Sequence, residues 1–349
     1  MRSLDYRRLP QELLSPEIMN LVAAIHECKG RQQRFARESP PALEALREVA
    51  KIHSAGSSNR IEGIRTSDKR LAALVAKRIE PQSRAEEEIA GYRDVLATIH
   101  ESHPYISVTP PVILQLHRDL YRYTPCAFAG RWKDGDNTIV ELDECGRQRI
   151  RFVPPPAVAV PDAVESLCSA YNDAIRAATY DALLLMALFV FDFVCIHPFN
   201  DGNGRMSRLL TLLLLYKAGY TVGAYLSIEK EIESSKETYY EVLQTCSEGW
   251  PEGRNTYEPF VRYLLGVVLA AYRELERREE LALSRPATKA QRVELVLAGR
   301  VGTLTKADIL AECPDISTTT VERALADLLA RGVIEKVGGG RATGYVWRG

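Results

Sequence analysis

The sequence lacks the features of a disulfide-stabilised, zinc-binding or membrane-spanning protein. Its seven cysteines are scattered, odd in number and without CxxC spacing, which argues against a disulfide framework and against a structural zinc site. The first ten residues contain no apolar signal core, and the most hydrophobic run, Ala182–Ile196, is too short to span a bilayer and contains Asp192. These absences predict a soluble cytoplasmic protein with reduced thiols and no membrane contact.

The sequence also has no excess of charge of one sign. Its 45 lysines and arginines face 46 aspartates and glutamates, which gives a formal net charge of −1. Overall charge therefore gives no indication of binding to nucleic acid or to an anionic membrane. The length of 349 residues suffices for two or three domains, and no internal repeat or low-complexity segment interrupts it.

Apolar residues at helical spacing predict a mainly α-helical fold. The pattern predicts helices over Leu13–Cys28, Pro41–His53, Ser83–His100, Pro110–Tyr123, Ala157–Ala177, Ala182–Ile196, Lys236–Glu248 and Tyr257–Arg277.

A polar, glycine-rich break follows the apolar run Ala182–Ile196, and a second apolar run follows the break. The break, residues 197–208, reads His-Pro-Phe-Asn-Asp-Gly-Asn-Gly-Arg-Met-Ser-Arg and is called the signature loop below. Gly202 and Gly204 flank Asn203 and let the backbone approach a ligand closely. A helix that begins near Asn203 would point its free N–H groups into the loop, which predicts an anion site.

The charged residues of the signature loop suit a nucleotide. Arg205 and Arg208 are three residues apart, so we expect them to share a helix face and to clamp one polyphosphate. Asp201 is placed to hold Mg²⁺ against those phosphates, and His197 is a candidate general base. No serine or cysteine nucleophile is built in, so an outside hydroxyl would attack the phosphate. The alternative is a helix–helix turn with a core histidine and two solvated arginines.

The signature loop resembles the signature of the Fic family (Fido fold), His-Pro-Phe-x-Asp/Glu-Gly-Asn-Gly-Arg-x-x-Arg, at every fixed position. The resemblance implies a helical Fic core with a small β-hairpin flap, and protein adenylyltransferase activity. ATP and Mg²⁺ would bind at the loop, and AMP would pass to a Ser, Thr or Tyr hydroxyl of a target protein or of the chain itself. The implied roles are proton acceptor for His197, metal ligand for Asp201, and phosphate binding for Gly202, Asn203, Gly204, Arg205 and Arg208.

A second stretch, Ser57-Ser58-Asn59-Arg60-Ile61-Glu62-Gly63, is by itself typical of a solvated turn at a helix end. It matches the inhibitory pattern of the Fic family, Ser/Thr-x-x-x-Glu-Gly/Asn, with Ser58, Glu62 and Gly63 in the required places. The resemblance implies that Glu62 reaches Arg208 and competes for the cation that should orient the γ-phosphate. We call Ser58–Gly63 the inhibitory motif.

Residues 129–156 break the helical pattern. Thr138–Glu141 and Gln148–Val153 are two candidate strands around the turn signal Asp143–Gly146. An ordinary surface hairpin is one interpretation. The resemblance makes residues 130–153 the flap, over which a target protein would dock by adding a strand.

Downstream of the signature loop, Tyr239 and Tyr240 are adjacent on a predicted helix, so at most one faces the nucleotide. In Fic proteins an aromatic from this region lies against adenine, and core packing is the alternative for either tyrosine. The resemblance also implies self-association, so a homodimer is a further expectation.

After a predicted linker, Leu281–Pro286, the pattern helix, helix, helix, strand, glycine-rich tip, strand predicts a winged helix-turn-helix. Residues 287–349 contain nine Lys/Arg and seven Asp/Glu, a net charge of +2. Arg341 and Arg348 are candidates to grip DNA from the wing, whereas dimerisation or target docking fits the weak charge as well. The predicted domains are 1–105, with the inhibitory motif, 106–280, the Fic domain, and 287–349.

Three functions remain open from the sequence. The leading one is transfer of AMP to a protein, with inhibition by Glu62. Removal of AMP from a modified protein would use the same residues. A DNA-binding regulator with a nucleotide-sensing Fic domain is the third.

Overall fold

The computed structural model is mainly helical, as the apolar periodicity predicts. It describes residues 2, 4–38, 40–142, 148–283, 288–300, 302–313, 316–339 and 343–348. Up to residue 283 the helices are α1 Pro16–Glu38, α2 Pro40–Ile61, α3 Asp68–Val75, α4 Arg84–Ser102, α5 Pro110–Leu120, α6 Val160–Ala177, α7 Ala182–Ile196, α8 Asn203–Lys217, α9 Ile228–Ser234, α10 Lys236–Ser247 and α11 Glu258–Leu283.

Helix α7 lies at the centre of the core. Its side chains are apolar on all sides, and nearly all are buried between α6, α8 and α11. The one charged group, Asp192, is fully buried and accepts hydrogen bonds from the side chains of Tyr6, Trp250 and Tyr257. Burial raises the pKa of this carboxyl, and the three donors oppose that rise. A rigid α7 therefore fixes the position at which the signature loop begins.

Helix α2 is longer than predicted, because it continues past His53 to Ile61. The small polar residues that looked like a solvated turn are buried, with Ser57, Ser58 and Asn59 fully enclosed. The solvated-turn interpretation is wrong, since these side chains find polar partners within the fold. Asn59, for example, donates to the Ala55 carbonyl at 2.8 Å. The inhibitory motif thus begins in the last turn of a core helix.

The predicted hairpin is present as β1 Ile139–Leu142 and β2 Gln148–Phe152. The strands are antiparallel, with Val140 opposite Ile150 and a register irregularity after Ile139. Within the described residues these two strands pair only with each other, so both outer edges of the hairpin are open. The predicted turn Asp143–Gly146 lies outside the described residues.

The C-terminal region forms a separate hydrophobic cluster. Its elements are α12 Lys289–Ala298, β3 Leu304–Thr305, α13 Lys306–Glu312, α14 Thr318–Ala330, β4 Ile334–Val337 and β5 Gly344–Trp347, with an antiparallel sheet in the order β3-β5-β4. The first residues of the predicted linker, Leu281–Pro286, belong to α11 instead, and residues 284–287 lie outside the described part. The glycine-rich tip at residue 340 and Arg341 also lie outside it.

No helix among the described residues is both long and apolar enough to cross a membrane.

Candidate nucleotide site

The signature loop joins α7 to α8 through two residues with positive φ. His197 ends α7 in the left-handed conformation, with φ 49°, and its N–H donates to the Phe193 carbonyl. Gly202 precedes α8 with φ 81°, and a Cβ there would lie 2.9 Å from the Tyr121 hydroxyl. Glycine is required at residue 202 by both its conformation and its neighbour.

Asn203 holds the loop in shape. Its side chain accepts a hydrogen bond from the Phe199 N–H at 2.9 Å and donates to the Phe199 carbonyl at 2.8 Å. The buried amide therefore closes the turn across four residues. The sequence predicted that this side chain would cradle phosphate, whereas in the structure its oxygen and its nitrogen are both engaged with Phe199.

Arg205 and Arg208 contact different partners. Its side chain is 1% exposed, and its Nη1 lies 2.7 Å from a carboxylate oxygen of Glu88 on α4. Its Nη2 donates to the Tyr121 hydroxyl at 2.7 Å and lies 3.8 Å from Asp201. Arg205 is therefore turned to α4 and to Tyr121, the residue after α5, while the joint clamp of one polyphosphate stays a prediction. Glu88 and Tyr121 were missed by the sequence analysis.

Arg208 contacts the inhibitory motif instead. Its Nε donates to Ser58 Oγ at 2.8 Å, and its Nη2 donates to the Ser58 carbonyl at 2.9 Å and to Glu62 Oε1 at 2.7 Å. The arginine side chain is 2% exposed, whereas that of Glu62 is 32% exposed. The expected approach of Glu62 to Arg208 is thus present. Gly63, with φ 80°, ends this segment in a conformation that favours glycine.

The Glu62 carboxylate lies directly against the loop backbone. A Cβ placed on Gly204 would be 2.2 Å from Glu62 Oε1 and 3.2 Å from Arg208 Nη1. Gly204 belongs to the first turn of α8, where free N–H groups and the helix dipole favour an anion. The carboxylate therefore lies beside the first turn of α8, where an anion is favoured.

The imidazole of His197 is neutral at physiological pH. Burial lowers its pKa to about 4, the charge of Lys133 acts in the same direction, and the Val194 carbonyl opposes them. Lys133 is itself buried, which lowers its pKa to about 8, and its ammonium donates to Asn137 at 2.6 Å. The backbone N–H of Lys133 donates to the Pro198 carbonyl at 2.8 Å, which ties the start of the flap to the signature loop. No spacing rule in the sequence indicates Lys133.

Asp201 is the single acid of the signature loop. Its side chain is 53% exposed, and its Oδ1 accepts from the Gly202 N–H at 2.7 Å. The described residues contain no cluster of three or more His, Cys, Asp or Glu side chains able to hold a metal. A single accessible carboxylate does fit Mg²⁺ that is carried in by phosphate oxygens, which supply its other ligands.

The two tyrosines of α10 differ in environment. Tyr239 is buried and packs near Phe260 and Tyr263, with ring centroids 6.5 and 5.8 Å away. Tyr240 is only partly buried, and the Arg151 guanidinium of β2 lies 5.3 Å from its ring centroid. Arg151 also donates to the Tyr240 carbonyl at 2.8 Å. Tyr240 therefore connects α10 to the flap, whereas Tyr239 belongs to the core.

Buried polar contacts also fix the end of α2 that carries the inhibitory motif. Ser54 donates to Glu229 at 2.7 Å inside the fold, and Arg60 forms a two-point ion pair with Glu233 at 2.6 and 2.7 Å. The Lys236 ammonium donates to the Ile61 carbonyl at 2.7 Å, at the C-terminus of the helix.

Residues 107–215, which include the whole signature loop, match the family model of the Fic/DOC family. That segment is therefore similar to the Fic/DOC family. Curated relatives named protein adenylyltransferase Fic include that of Nematostella vectensis, 26% identical over 266 residues, which cover 74% of this chain and 54% of that protein. The Drosophila melanogaster protein of the same name is 28% identical over 275 residues, or 76% and 47% of the two chains. This chain thus spans about half the length of these relatives.

Solved structures show the same fold. A Fic family protein from Desulfovibrio desulfuricans superposes with a TM-score of 0.62 at 24% identity, over 96% of this chain and 97% of that one. Fic-1 from C. elegans superposes with a TM-score of 0.62 at 19% identity, over 78% and 76%. At these identities the likeness concerns the fold alone.

Proposed function

We propose that this protein transfers AMP from ATP to a hydroxyl group of a protein, and that Glu62 holds the activity off. The observation that carries the proposal is the Glu62–Arg208 ion pair, 2.7 Å long, packed against Gly204 of the signature loop. An acid at this place competes with a nucleotide's terminal phosphate for the arginine. The Fic domain and the relatives named protein adenylyltransferase support the same activity.

In the proposed reaction the oxygen of a target Ser, Thr or Tyr hydroxyl attacks the α-phosphorus of ATP. The bond between that phosphorus and the oxygen bridging to the β-phosphate breaks, and pyrophosphate leaves. His197 accepts the hydroxyl proton, for which its neutral imidazole is in the required state. Positioning and electrostatics carry most of such a phosphoryl transfer.

Phosphate binding is assigned to the first turn of α8 and to Arg208. The backbone from Gly202 to Gly204 forms the cradle, and Arg208 takes the terminal phosphate once Glu62 has moved away. Arg205 and Asn203 then act mainly by holding the loop, because their side chains are engaged with Glu88 and Phe199.

Asp201 is the residue assigned to Mg²⁺. When bound with ATP, the ion neutralises phosphate charge. The carboxylate is exposed on the loop, and its Oδ1 is oriented by the Gly202 N–H. It is therefore accessible to an ion that arrives with the nucleotide.

The flap is the proposed docking site for the target protein. Its strand edges are open within the described residues, and Val140 and Ile150 present exposed apolar side chains in register. Tyr240 is the better candidate to lie against adenine, since it is the less buried of the two tyrosines and contacts the flap. A second copy of the chain is one target that this surface would accept, which accounts for the expected self-modification and homodimer.

For residues 287–349 we propose a winged helix-turn-helix that docks protein rather than DNA. Several of its cations are paired with acids: Arg348 with Glu335 at 2.7 Å, and Lys306 with Glu322 at 2.8 Å. Such pairing reduces the positive field that a DNA backbone requires. The proposed domains remain 1–105, 106–280 and 287–349, and the proposed location remains the cytoplasm.

Removal of AMP is the second candidate, favoured by the position of Glu62. A partly exposed carboxylate beside the phosphate cradle is placed to orient water for attack on the phosphorus of an AMP-modified side chain. That reaction would release AMP and restore the hydroxyl, and it would require Glu62. AMP transfer, in contrast, would require that the Glu62 side chain move away.

Transfer of label from α-labelled ATP tests the proposal. We expect Glu62→Gly to label itself or a lysate protein strongly, and Glu62→Gly with His197→Ala to label nothing. Glu80→Gly, which removes an exposed glutamate outside the site, is the matched control and should behave as the unmodified protein. Equal labelling by the single and the double variant would refute the assigned roles. Mass spectrometry of the labelled proteins identifies the target.

A further inference from the structure

A cavity about 260 Å³ in volume lies against α2. Its lining includes two cations of α2, Arg47 and Lys51, together with His100 of α4, His103 just after that helix, and Tyr216 of α8. None of these residues takes part in the proposed AMP transfer. Cations and imidazoles that converge on one cavity are a typical arrangement for binding an anion.

The charged groups that line this cavity are two cations, Arg47 and Lys51, and one acid, Glu101. Burial lowers the pKa of His100 to about 4, and the charges of Lys51, Arg47 and His103 add to the shift. Two acids lie nearby, Glu48, which pairs with Lys51 at 2.7 Å, and Glu101, which lines the cavity. Both acids are exposed, as Arg47 is, so water screens the acids and the cations alike, and it screens the partly buried imidazoles less.

Some polar atoms that line the cavity lack a hydrogen-bond partner among the described residues. The Tyr216 hydroxyl and His100 Nδ1 are hydrogen-bonded at 3.0 Å, and Arg47 donates to the Tyr225 hydroxyl at 3.1 Å. Among the described residues, His100 Nε2 and His103 Nδ1 have no hydrogen-bond partner. Buried polar atoms without partners are uncommon in native proteins and are costly unless a ligand or water satisfies them.

We propose that this cavity binds a small anion of the phosphate class, separately from the nucleotide at the signature loop. The guanidinium of Arg47 and the ammonium of Lys51 are suited to phosphate oxygens, and the imidazoles supply further donors. The volume is below the range of about 300–1,000 Å³ typical of sites for larger ligands, which points to a ligand of the size of pyrophosphate.

The position of the cavity gives the ligand a structural effect. It lies between α2, α4 and α8, further along the two helices that contribute Ser58 and Arg208. With a rise of about 1.5 Å per residue, Lys51 is roughly 10 Å along α2 from Ser58, and Tyr216 is roughly 12 Å along α8 from Arg208. A bound anion that bridges these helices stabilises the folded protein by an amount that rises with the logarithm of its concentration relative to Kd.

Histidine-selective NMR of the full chain tests the site, with pyrophosphate as the probe and sodium chloride at matched ionic strength as its control. The six histidines can be assigned with single variants such as His100→Gln. We expect the His100 and His103 resonances to shift saturably, the pKa of His100 to rise because the anion favours the imidazolium, and the melting temperature to increase. Arg47→Gln with Lys51→Gln should weaken binding at least tenfold.

A second variant keeps the test independent of any folding defect. Glu101→Gln leaves the cations in place and removes a nearby acid, so pyrophosphate should bind several-fold more tightly. Shifts that sodium chloride reproduces, that persist in the double variant, or that affect His197 alone would overturn the proposal. These readouts do not depend on AMP transfer, so an inactive protein would bear only on the proposed function.

Discussion

Replacing Glu62 by glycine should tighten ATP binding, because the substitution removes a competitor and leaves the arginine in place. Arg208 makes three hydrogen bonds to the inhibitory motif, two of which go to Ser58. In Glu62→Gly both bonds to Ser58 remain, so the buried guanidinium keeps its orientation. A phosphate group then meets a preorganised donor with no carboxylate to displace.

The size of the effect follows from the exposure of the pair. A hydrogen bond between charged groups contributes about 1.5–3 kcal/mol, and solvent screening reduces this for a partly exposed acid. With 32% of the Glu62 side chain exposed, the lower end applies, which is about tenfold in Kd. Repulsion between the carboxylate and the phosphates adds to this, so we expect ATP to bind about 10- to 100-fold more tightly.

Calorimetry with Mg²⁺ and a non-hydrolysable ATP analogue measures this difference. Glu62→Gln, which keeps the size of the side chain and loses the charge, should fall between the unmodified protein and Glu62→Gly. Ser58→Ala is the matched control: it removes a neutral acceptor from Arg208, worth about 1 kcal/mol, and leaves the carboxylate, so it should not tighten binding. An unchanged Kd in Glu62→Gly, or tightening by Ser58→Ala of the same size, would refute the reasoning.

Three further predictions concern the signature loop, the support of Arg205, and the buried histidines. In the Glu62→Gly background, Gly204→Ala should weaken binding of the ATP analogue at least tenfold in the same calorimetric assay, because the added Cβ enters the space now held by the carboxylate. Glu88→Gln leaves the buried Arg205 without its counter-charge and should lower the free energy of unfolding in urea by about 3 kcal/mol. Stability should fall as the pH drops from 7 towards 4, since several histidines have folded pKa values below the unfolded value of about 6.5, so the unfolded chain binds more protons in that window. Urea midpoints at successive pH values measure this, and a midpoint that stays constant would contradict it. The histidines concerned are His53 with a pKa of about 3, and His100, His117 and His197 with values of about 4.

The parts of the site that local sequence encodes were predictable. Glycine at residues 202 and 204, the helix beginning at Asn203, and the hairpin strands all follow from short-range patterns, and the structure contains each of them. The approach of Glu62 to Arg208 was predictable only through the family resemblance, because 146 residues separate them. No periodicity in the sequence brings such distant positions together.

The remaining contacts depend on partners that sequence spacing does not reveal. Three residues of separation place Arg205 and Arg208 about 60° apart around α8, which is enough for α4 to take one and α2 the other. Asn203 was expected to face phosphate, but a buried amide beside an irregular turn satisfies the backbone of that turn. Ser58 is bonded to Arg208 of α8, and Ser57 to Arg60 of its own helix, which in turn pairs with Glu233 of α9, so polarity alone gave the wrong environment.

The contacts around α2 also indicate which motion opens the site. The end of this helix is fixed by the Ser54–Glu229 hydrogen bond, by the two-point Arg60–Glu233 ion pair and by Lys236 on the Ile61 carbonyl. Moving the helix would break all of these, whereas Glu62 lies beyond the last helical residue, and its side chain is a third exposed. Rotation of that one side chain costs a single ion pair and exposes Arg208 without disturbing the bonds to Ser58. If Glu62 inhibits as proposed, its release requires only a local change at residue 62, within a scaffold that stays as it is.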